Sequence, residues 1–192
     1  MVKSHSKTKY FALGFALLLV GLDQFFKWLV IENIKPLPGR TLPLISGVFH
    51  LTYVENDSMV FGFLGGLSDE GKTMLMLILS GVTLLILAGM VVALLKNMIK
   101  SPFLMWVCGA IVGGGIGNLI DRLFRVSADS GLHYVVDYLD LRIINFAIFN
   151  FADCCVVVGV ILVIVYIFFL ESKSPKAIGE PETETGALKS DE

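Results

Sequence analysis

Residues 149–170 read FNFADCCVVVGVILVIVYIFFL, and this stretch decides the fold. It is long enough to cross a bilayer as a helix, which takes about 20 apolar residues, yet it carries Asp153 near its start. A charged carboxylate in hydrocarbon is costly, so an acid placed there marks a functional site by default. A second acid, Asp137, lies just upstream in Val135-Val136-Asp137-Tyr138, outside the apolar run. Two carboxylates within reach of one another are the minimum equipment for aspartic-type hydrolysis, where one takes a proton while the other gives one. The plainer alternative is that they cap helices or pair with Arg122 or Arg142. Asp153 falls in the first turn of its helix, where the positive end of the dipole favours an anion.

Composition places the whole chain in a membrane. Hydrophobic residues make up 55% and charged residues 17%, with a mean hydropathy of +0.78. A soluble domain is nearer 25% charged. Three further spans are read at Phe11–Ile31, Met74–Leu95 and Phe103–Ile120, beside Phe149–Leu170. The first is too long for a cleaved signal peptide and holds Asp23 and Lys27. Lys3, Lys7, Lys9, Lys96, Lys100, Lys173 and Lys176 put both termini and the 96–100 turn on the cytoplasmic side by the positive-inside rule, although the opposite loops also carry basic residues. The net charge of −2 suggests no nucleic-acid partner.

The fold expected is therefore an all-α membrane protein of four transmembrane helices with a small outer-face β element. That element falls in the first outer loop, where Phe49, Leu51 and Tyr53 alternate with His50, Thr52 and Val54 in strand fashion. Residues 1–171 form one integral membrane domain. Residues 172–192, rich in Pro, Glu and Lys, read as a disordered cytoplasmic tail.

Several constellations admit competing accounts. Gly109, Gly113 and Gly117 recur every four residues and offer one face for close helix approach. The run Gly113-Gly114-Gly115-Ile116-Gly117 loosely matches a nucleotide-binding pattern, but no strand precedes it, so packing is the better account. Asn118, Asp121 and Arg122 form a polar cluster at the outer end of the third span, or an ordinary helix end with an internal ion pair. Asp23 and Lys27, spaced i, i+4, are expected to neutralise one another and tie helices together, with Lys27 also able to snorkel toward headgroups. His50 and His133 are expected at the surface of the outer loops. Three convergent metal ligands are missing, so no metal and no cofactor are expected. Cys108, Cys154 and Cys155 read as small hydrophobes. Ser58 and Ser80 lack an evident base partner, and no serine-nucleophile motif is present.

These residues together resemble a known family. Asp23-Gln24-x-x-Lys27, Asn56-x-x-x-x-Phe61-Gly62, Gly114-Gly115-x-Gly117-Asn118-x-x-Asp121-Arg122, Val136-Asp137-Tyr138 and Phe149-Asn150-x-Ala152-Asp153 occur in the order and places found in the lipoprotein signal peptidases (signal peptidase II), bacterial membrane-embedded aspartic peptidases. The resemblance implies removal of the signal peptide from prolipoproteins, with the cut just before a cysteine that carries a diacylglyceryl group. It implies a catalytic dyad of Asp137 and Asp153. Asn56, Asn118, Arg122 and Asn150 then hold substrate or orient the dyad, and Asp23, Lys27, Asp121 and Ala152 support the site. The outer-loop stretch Asn56-Asp57-Ser58-Met59-Val60-Phe61 departs from the family's Asn-x-Gly-Ala-Ala-Phe, which bears on the shape of that loop. A monomer working on lipid-modified prolipoproteins among membrane lipids, with its site at the outer face of the cytoplasmic membrane, is the expectation. A small transporter or proton-conducting subunit is the alternative; its sites would lie near the bilayer midplane, whereas these acids cluster at one interface. A noncatalytic scaffold would leave the pairing of Asp137 and Asp153 without a reason.

Overall fold

The computed structural model describes residues 5–57 and 68–170 of the 192-residue chain. Four helices dominate: α1 (His5–Asn33), α2 (Asp69–Leu95), α3 (Pro102–Phe124) and α4 (Phe151–Val165), the last continued by a π-helical turn over Tyr166–Leu170. Spans of 27, 27, 23 and 19 residues within them are long and apolar enough to cross a membrane. The helix starts follow from capping. Ser68 accepts from the Gly71 N–H ahead of Asp69 and Glu70, and Ser101 accepts from the Leu104 N–H ahead of Pro102. Each cap satisfies an otherwise orphaned donor at its helix start. At the opposite end of α2, buried Lys9 of α1 donates to the Leu95 carbonyl at 2.8 Å.

Helix α3 is the centre of the bundle and touches the other three. Its glycines explain how. A Cβ at Gly109 would come 2.6 Å from the Ala12 carbonyl oxygen, and one at Gly113 2.8 Å from that of Ala16, so this face receives α1 as the spacing implied. Gly114 turns to α4 instead, where a Cβ would meet the Ala152 carbonyl oxygen at 2.5 Å. Bare backbone is what allows these approaches.

A three-stranded antiparallel sheet caps one end of the bundle, in the order β1 (Thr41–Ile45), β2 (Phe49–Asn56), β3 (Val135–Asp140). The first outer loop supplies only two of the strands; β3 comes from the segment between α3 and α4. Alternation sorts the two faces. Tyr53, Tyr134, Val136 and Tyr138 pack on Val30 and Ile34 at the end of α1, which leaves Val54, Asn56 and Asp137 on the other face. Lys35 fixes the junction, donating to the Tyr53 hydroxyl at 3.2 Å and to Glu55 at 3.0 Å.

Two expectations change here. His50 is buried within the sheet, its Nε2 accepting from the Gly47 N–H at 3.3 Å, and His133 is half-buried. A turn that folds back on its own strand encloses an imidazole that local polarity would place outside. Lys27 is fully buried and does not snorkel, because carboxylates on two helices hold its ammonium. The expectations for Ser58, for Phe61-Gly62 and for the tail at 172–192 fall outside the described residues.

Candidate active site

The geometry begins with a chain reversal. After β3, the backbone turns and Phe149 pairs with Leu139, the Leu139 N–H donating to the Phe149 carbonyl at 2.7 Å. That pairing sets the start of α4 beside β3 and puts Asn150 at its N-cap. The Asn150 side chain accepts from the Asp153 N–H at 3.0 Å, and Asp153 returns the bond by accepting from the Asn150 N–H at 3.0 Å. This reciprocal capping box fixes the Asp153 carboxylate at the helix mouth. The capping role considered for Asp153 is thus real, but it uses one oxygen only.

The other Asp153 oxygen, Oδ1, accepts from Asn118 Nδ2 at 2.7 Å. Asn118 turns its own carbonyl to Lys27 at 2.8 Å and to Asn150 Nδ2 at 3.0 Å. Because an ammonium can only donate, Lys27 decides which end of the Asn118 amide faces Asp153. Asn150 Nδ2 also donates to Asp137 Oδ1 at 2.6 Å, and Asn56 Nδ2 donates to Asp137 Oδ2 at 2.6 Å. Two side-chain amides therefore link the carboxylates of Asp153 and Asp137, and all four carboxylate oxygens have donors. Asn56 reaches Asp137 diagonally across the ladder, since its register partner is Val135 while Asp137 faces Val54. A bulge between Leu51 and Val54 adjusts the strand on the way, a common device beside functional sites.

The two acids sit in different surroundings. Asp137 is 3% exposed. Burial pushes its carboxyl up to about 6, aided by the neighbouring Asp153 charge and opposed by the Asn56 and Asn150 amides and by Lys27. Asp153 is half-buried and lines a cavity of about 300 Å³ together with Asn118 and Arg122. The rest of the lining is chiefly apolar, from Leu87 of α2, Ile111 of α3 and Val156 and Val157 of α4. Arg122 Nε is buried without a hydrogen-bond partner among the described residues, and the guanidinium charge acts on Asp153 and Asp137. The polar cluster at the end of α3 thus divides: Asn118 and Asp121 turn inward, and Arg122 faces the cavity. Arg142, the other cation considered for the pair, binds Asp140 instead at 2.9 Å.

Behind the two carboxylates, Lys27 contacts Asp23 at 2.9 Å, as the i, i+4 spacing predicts, and also Asp121 at 2.9 Å. Asp23 accepts from the Ala152 N–H at 3.1 Å, and Asp121 from the Val136 N–H at 3.1 Å. Sequence reasoning gave no role to Gln24 or Arg125. Gln24 Nε2 donates to Asp121 at 3.1 Å and Arg125 pairs with Asp121 at 2.8 Å. The i, i+4 spacing of Asp121 and Arg125 could have revealed that pair; the contact of Asp121 with Lys27, between helices, has no local signal.

Four helices long and apolar enough to span a membrane, around an amide-linked pair of carboxylates, define the class as a membrane-embedded protein with a candidate acid–base centre. Comparison with known proteins makes this specific. Residues 15–169 match the family model of signal peptidase (SPase) II. The lipoprotein signal peptidase of Fusobacterium nucleatum subsp. nucleatum is 38% identical over 162 residues, covering 83% of this chain and 88% of that one. That of Clostridioides difficile is 38% identical over 160 residues, covering 82% and 95%. A bacterial membrane enzyme solved by the in meso method superposes with a TM-score of 0.67 at 27% identity, over 88% of this chain and 93% of that chain. The chain belongs to the signal peptidase II family, and is an aspartic peptidase of the membrane.

Proposed function

We propose that the protein removes the signal peptide from diacylglyceryl-modified prolipoproteins, hydrolysing the peptide bond just before the lipidated cysteine, with Asp137 and Asp153 as its catalytic dyad. The observation that carries this reading is the amide relay Asp153–Asn118–Asn150–Asp137, which holds two carboxylates together beside a cavity that opens among apolar side chains. Asp137, buried and raised toward neutral pH, suits the protonated member. Asp153, at the cavity, suits the base.

In the reaction, Asp153 takes a proton from a water that attacks the scissile carbonyl, while the Asp137 acid hydrogen-bonds the developing oxyanion and then supplies a proton to the leaving amine. Arg122 offers unused donor capacity to the substrate backbone. Asp153 lies within the first turn of α4, about 3 Å along the axis from its start, a depth that water and a peptide bond adjoining a membrane-anchored lipid both reach. Acyl chains add affinity without sequence preference, at ~0.8 kcal/mol per buried methylene.

The lysines around α1, the 96–100 turn and the tail support cytoplasmic termini and a site at the outer face of the bacterial cytoplasmic membrane. Residues 1–171 then form the peptidase unit, which works as a monomer. The test is cleavage of a synthetic diacylglyceryl-modified prolipoprotein by purified protein in detergent. Asp137→Asn and Asp153→Asn should each abolish it without unfolding the protein, and the unlipidated precursor should be a poor substrate. Substantial cleavage by either variant overturns the dyad, and equal rates on both precursors overturn lipid recognition.

A further inference from the structure

The cavity beside Asp153 has a polar mouth and an apolar floor. Asp153, Asn118 and Arg122 stand at the mouth, while Leu87 and Ile111 lie deepest, counted from the sheet end of the bundle. From Asn118 back to Ile111 is about 10 Å of helix. The floor is set by one contact between α2 and α3. A Cβ at Gly115 would lie 2.7 Å from Leu87 Cδ2 and 2.9 Å from Cδ1, so the Leu87 isobutyl group occupies the space that a side chain at 115 would take. The far side of Leu87 packs in the core with Ala16 and Val112, and only 5% of the residue is exposed. Gly115 therefore differs from Gly109, Gly113 and Gly114, where the nearest neighbour is a backbone oxygen of another helix. Those glycines let helices approach. Gly115 lets one side chain sink.

We propose that Leu87, seated on Gly115, is a specificity-determining residue for the peptidase: it closes the cavity floor and so limits the size of the apolar side chain accepted from the signal peptide just ahead of the cut. The proposal rests on the reading of the reaction given above. In that reading the signal peptide crosses from the cytoplasmic side to the scissile bond at Asp153. The segment ahead of the cut then lies inward of the dyad, along the direction in which the cavity runs. Extended chain advances about 3.3 Å per residue, so the cavity spans roughly three residues before the cut. An acyl chain of the diacylglyceryl group is the other apolar candidate. It is as long as half of the ~30 Å hydrocarbon core, and among the described residues the lining on α2 goes no deeper than Leu87.

The contact also fixes the direction of two opposite changes. Leu87→Ala deepens the floor. Gly115→Ala raises it, because the new methyl displaces the end of Leu87, and the packed core on its far side leaves the cavity as the free direction. The experiment measures kcat/KM of full-length protein in detergent on synthetic diacylglyceryl-modified precursors. These carry Ala, Val, Leu or Phe at each of the three positions ahead of the cut. One methylene in an apolar site changes kcat/KM by about 10- to 200-fold. At one of the positions, Leu87→Ala should raise the Phe-to-Ala ratio of kcat/KM at least about 10-fold, and Gly115→Ala should lower the Leu-to-Ala ratio by a similar factor. In the double variant the added methyl fills space that the isobutyl group has left, so its ratios should fall between those of the two single variants. The two changes share one contact and are expected to couple.

A purely structural role would lower kcat/KM on every precursor by one common factor; ratios unmoved at all three positions overturn the proposal. Ratios that move with acyl length, on precursors differing only in their lipid, overturn the signal-peptide side chain as occupant. If Leu87→Ala fails to fold, Leu87→Val and Gly115→Ala, which keep a branched side chain against the core, decide the matter by the same ratios. Cleavage surviving in Asp137→Asn or Asp153→Asn would overturn the dyad instead. Inactive dyad variants beside Leu87 and Gly115 variants with wild-type ratios would overturn only the role of the floor.

Discussion

Asn150 and Asp137 are hydrogen-bonded at 2.6 Å by an amide whose carbonyl simultaneously caps α4 through the Asp153 N–H. One buried side chain thus serves the helix start and both acids. The two roles can be separated. Serine caps about as well as asparagine but cannot also reach Asp137 and Asn118. Asn150→Ser should therefore keep thermal stability close to wild type and lose most of kcat, whereas Asn150→Ala should lose both, with about 1 kcal/mol or more gone from stability. Thermal unfolding and kcat, measured on the same preparations, check this; parallel loss in the two variants would refute the separation.

Asn56 gives a cleaner handle on the proton. Its amide donates to Asp137 Oδ2 and so favours the ionised carboxylate. Asn56→Ala removes that donor, and the carboxyl holds its proton to higher pH. The alkaline limb of kcat/KM should move upward, opposite to the shift expected when a general disturbance lets water reach the acid. A pH–rate profile with the lipidated precursor decides it, and an unmoved limb would exclude Asn56 from control of the dyad.

Burial, with the Asp153 charge beside it, raises Asp137 from 3.8 to about 6, so the folded protein binds this proton more tightly than the unfolded chain does. Its contribution to stability is fully present below about pH 4, declines as pH rises toward 6, and is absent above. A shift of about two units corresponds to roughly 3 kcal/mol. Asp137→Asn does not titrate, so its apparent Tm relative to wild type should increase between pH 4 and pH 7. A constant difference across that range would show that the native carboxyl is not raised. The same variant is expected to be inactive, so at this position stability and activity pull apart.

The sequence was most legible where the signal is local. Apolar length located all four spans, the four-residue glycine spacing located the α1 face of α3, the i, i+4 interval located the Asp23–Lys27 pair, and the start of the apolar run placed Asp153 in the first turn of α4. What escaped depends on residues far apart in the chain. Asp121 joins Lys27 only because α1 packs against the glycine face of α3, and β3 joins the sheet only because the chain returns from α3 over the end of α1. The same packing buries Lys27, whose long stem alone suggested a headgroup contact. Asp137 was visible as an acid beside a membrane; its tie to Asp153 passes through Asn118 and Asn150, which the family motifs supplied and periodicity did not.

The glycines of α3 provide a last prediction, because the ones that matter differ sharply from those that do not. At Gly114 an added Cβ would meet the Ala152 carbonyl oxygen at 2.5 Å, a backbone atom that cannot swing aside. At Gly14 and Gly89, within α1 and α2, nothing lies within 4 Å. Gly114→Ala should push the start of α4, and Asp153 with it, away from α3. The cost is about 1–3 kcal/mol by analogy with other overpacked sites, and the Asn118–Asp153 bond should break. Gly14→Ala and Gly89→Ala should be neutral or gain up to about 1 kcal/mol from better helix propensity. Apparent Tm and kcat of the three variants test the contrast: Gly114→Ala must lose both, and the other two must keep both. A Gly114→Ala protein with normal kcat would mean that α3 does not fix the position of Asp153.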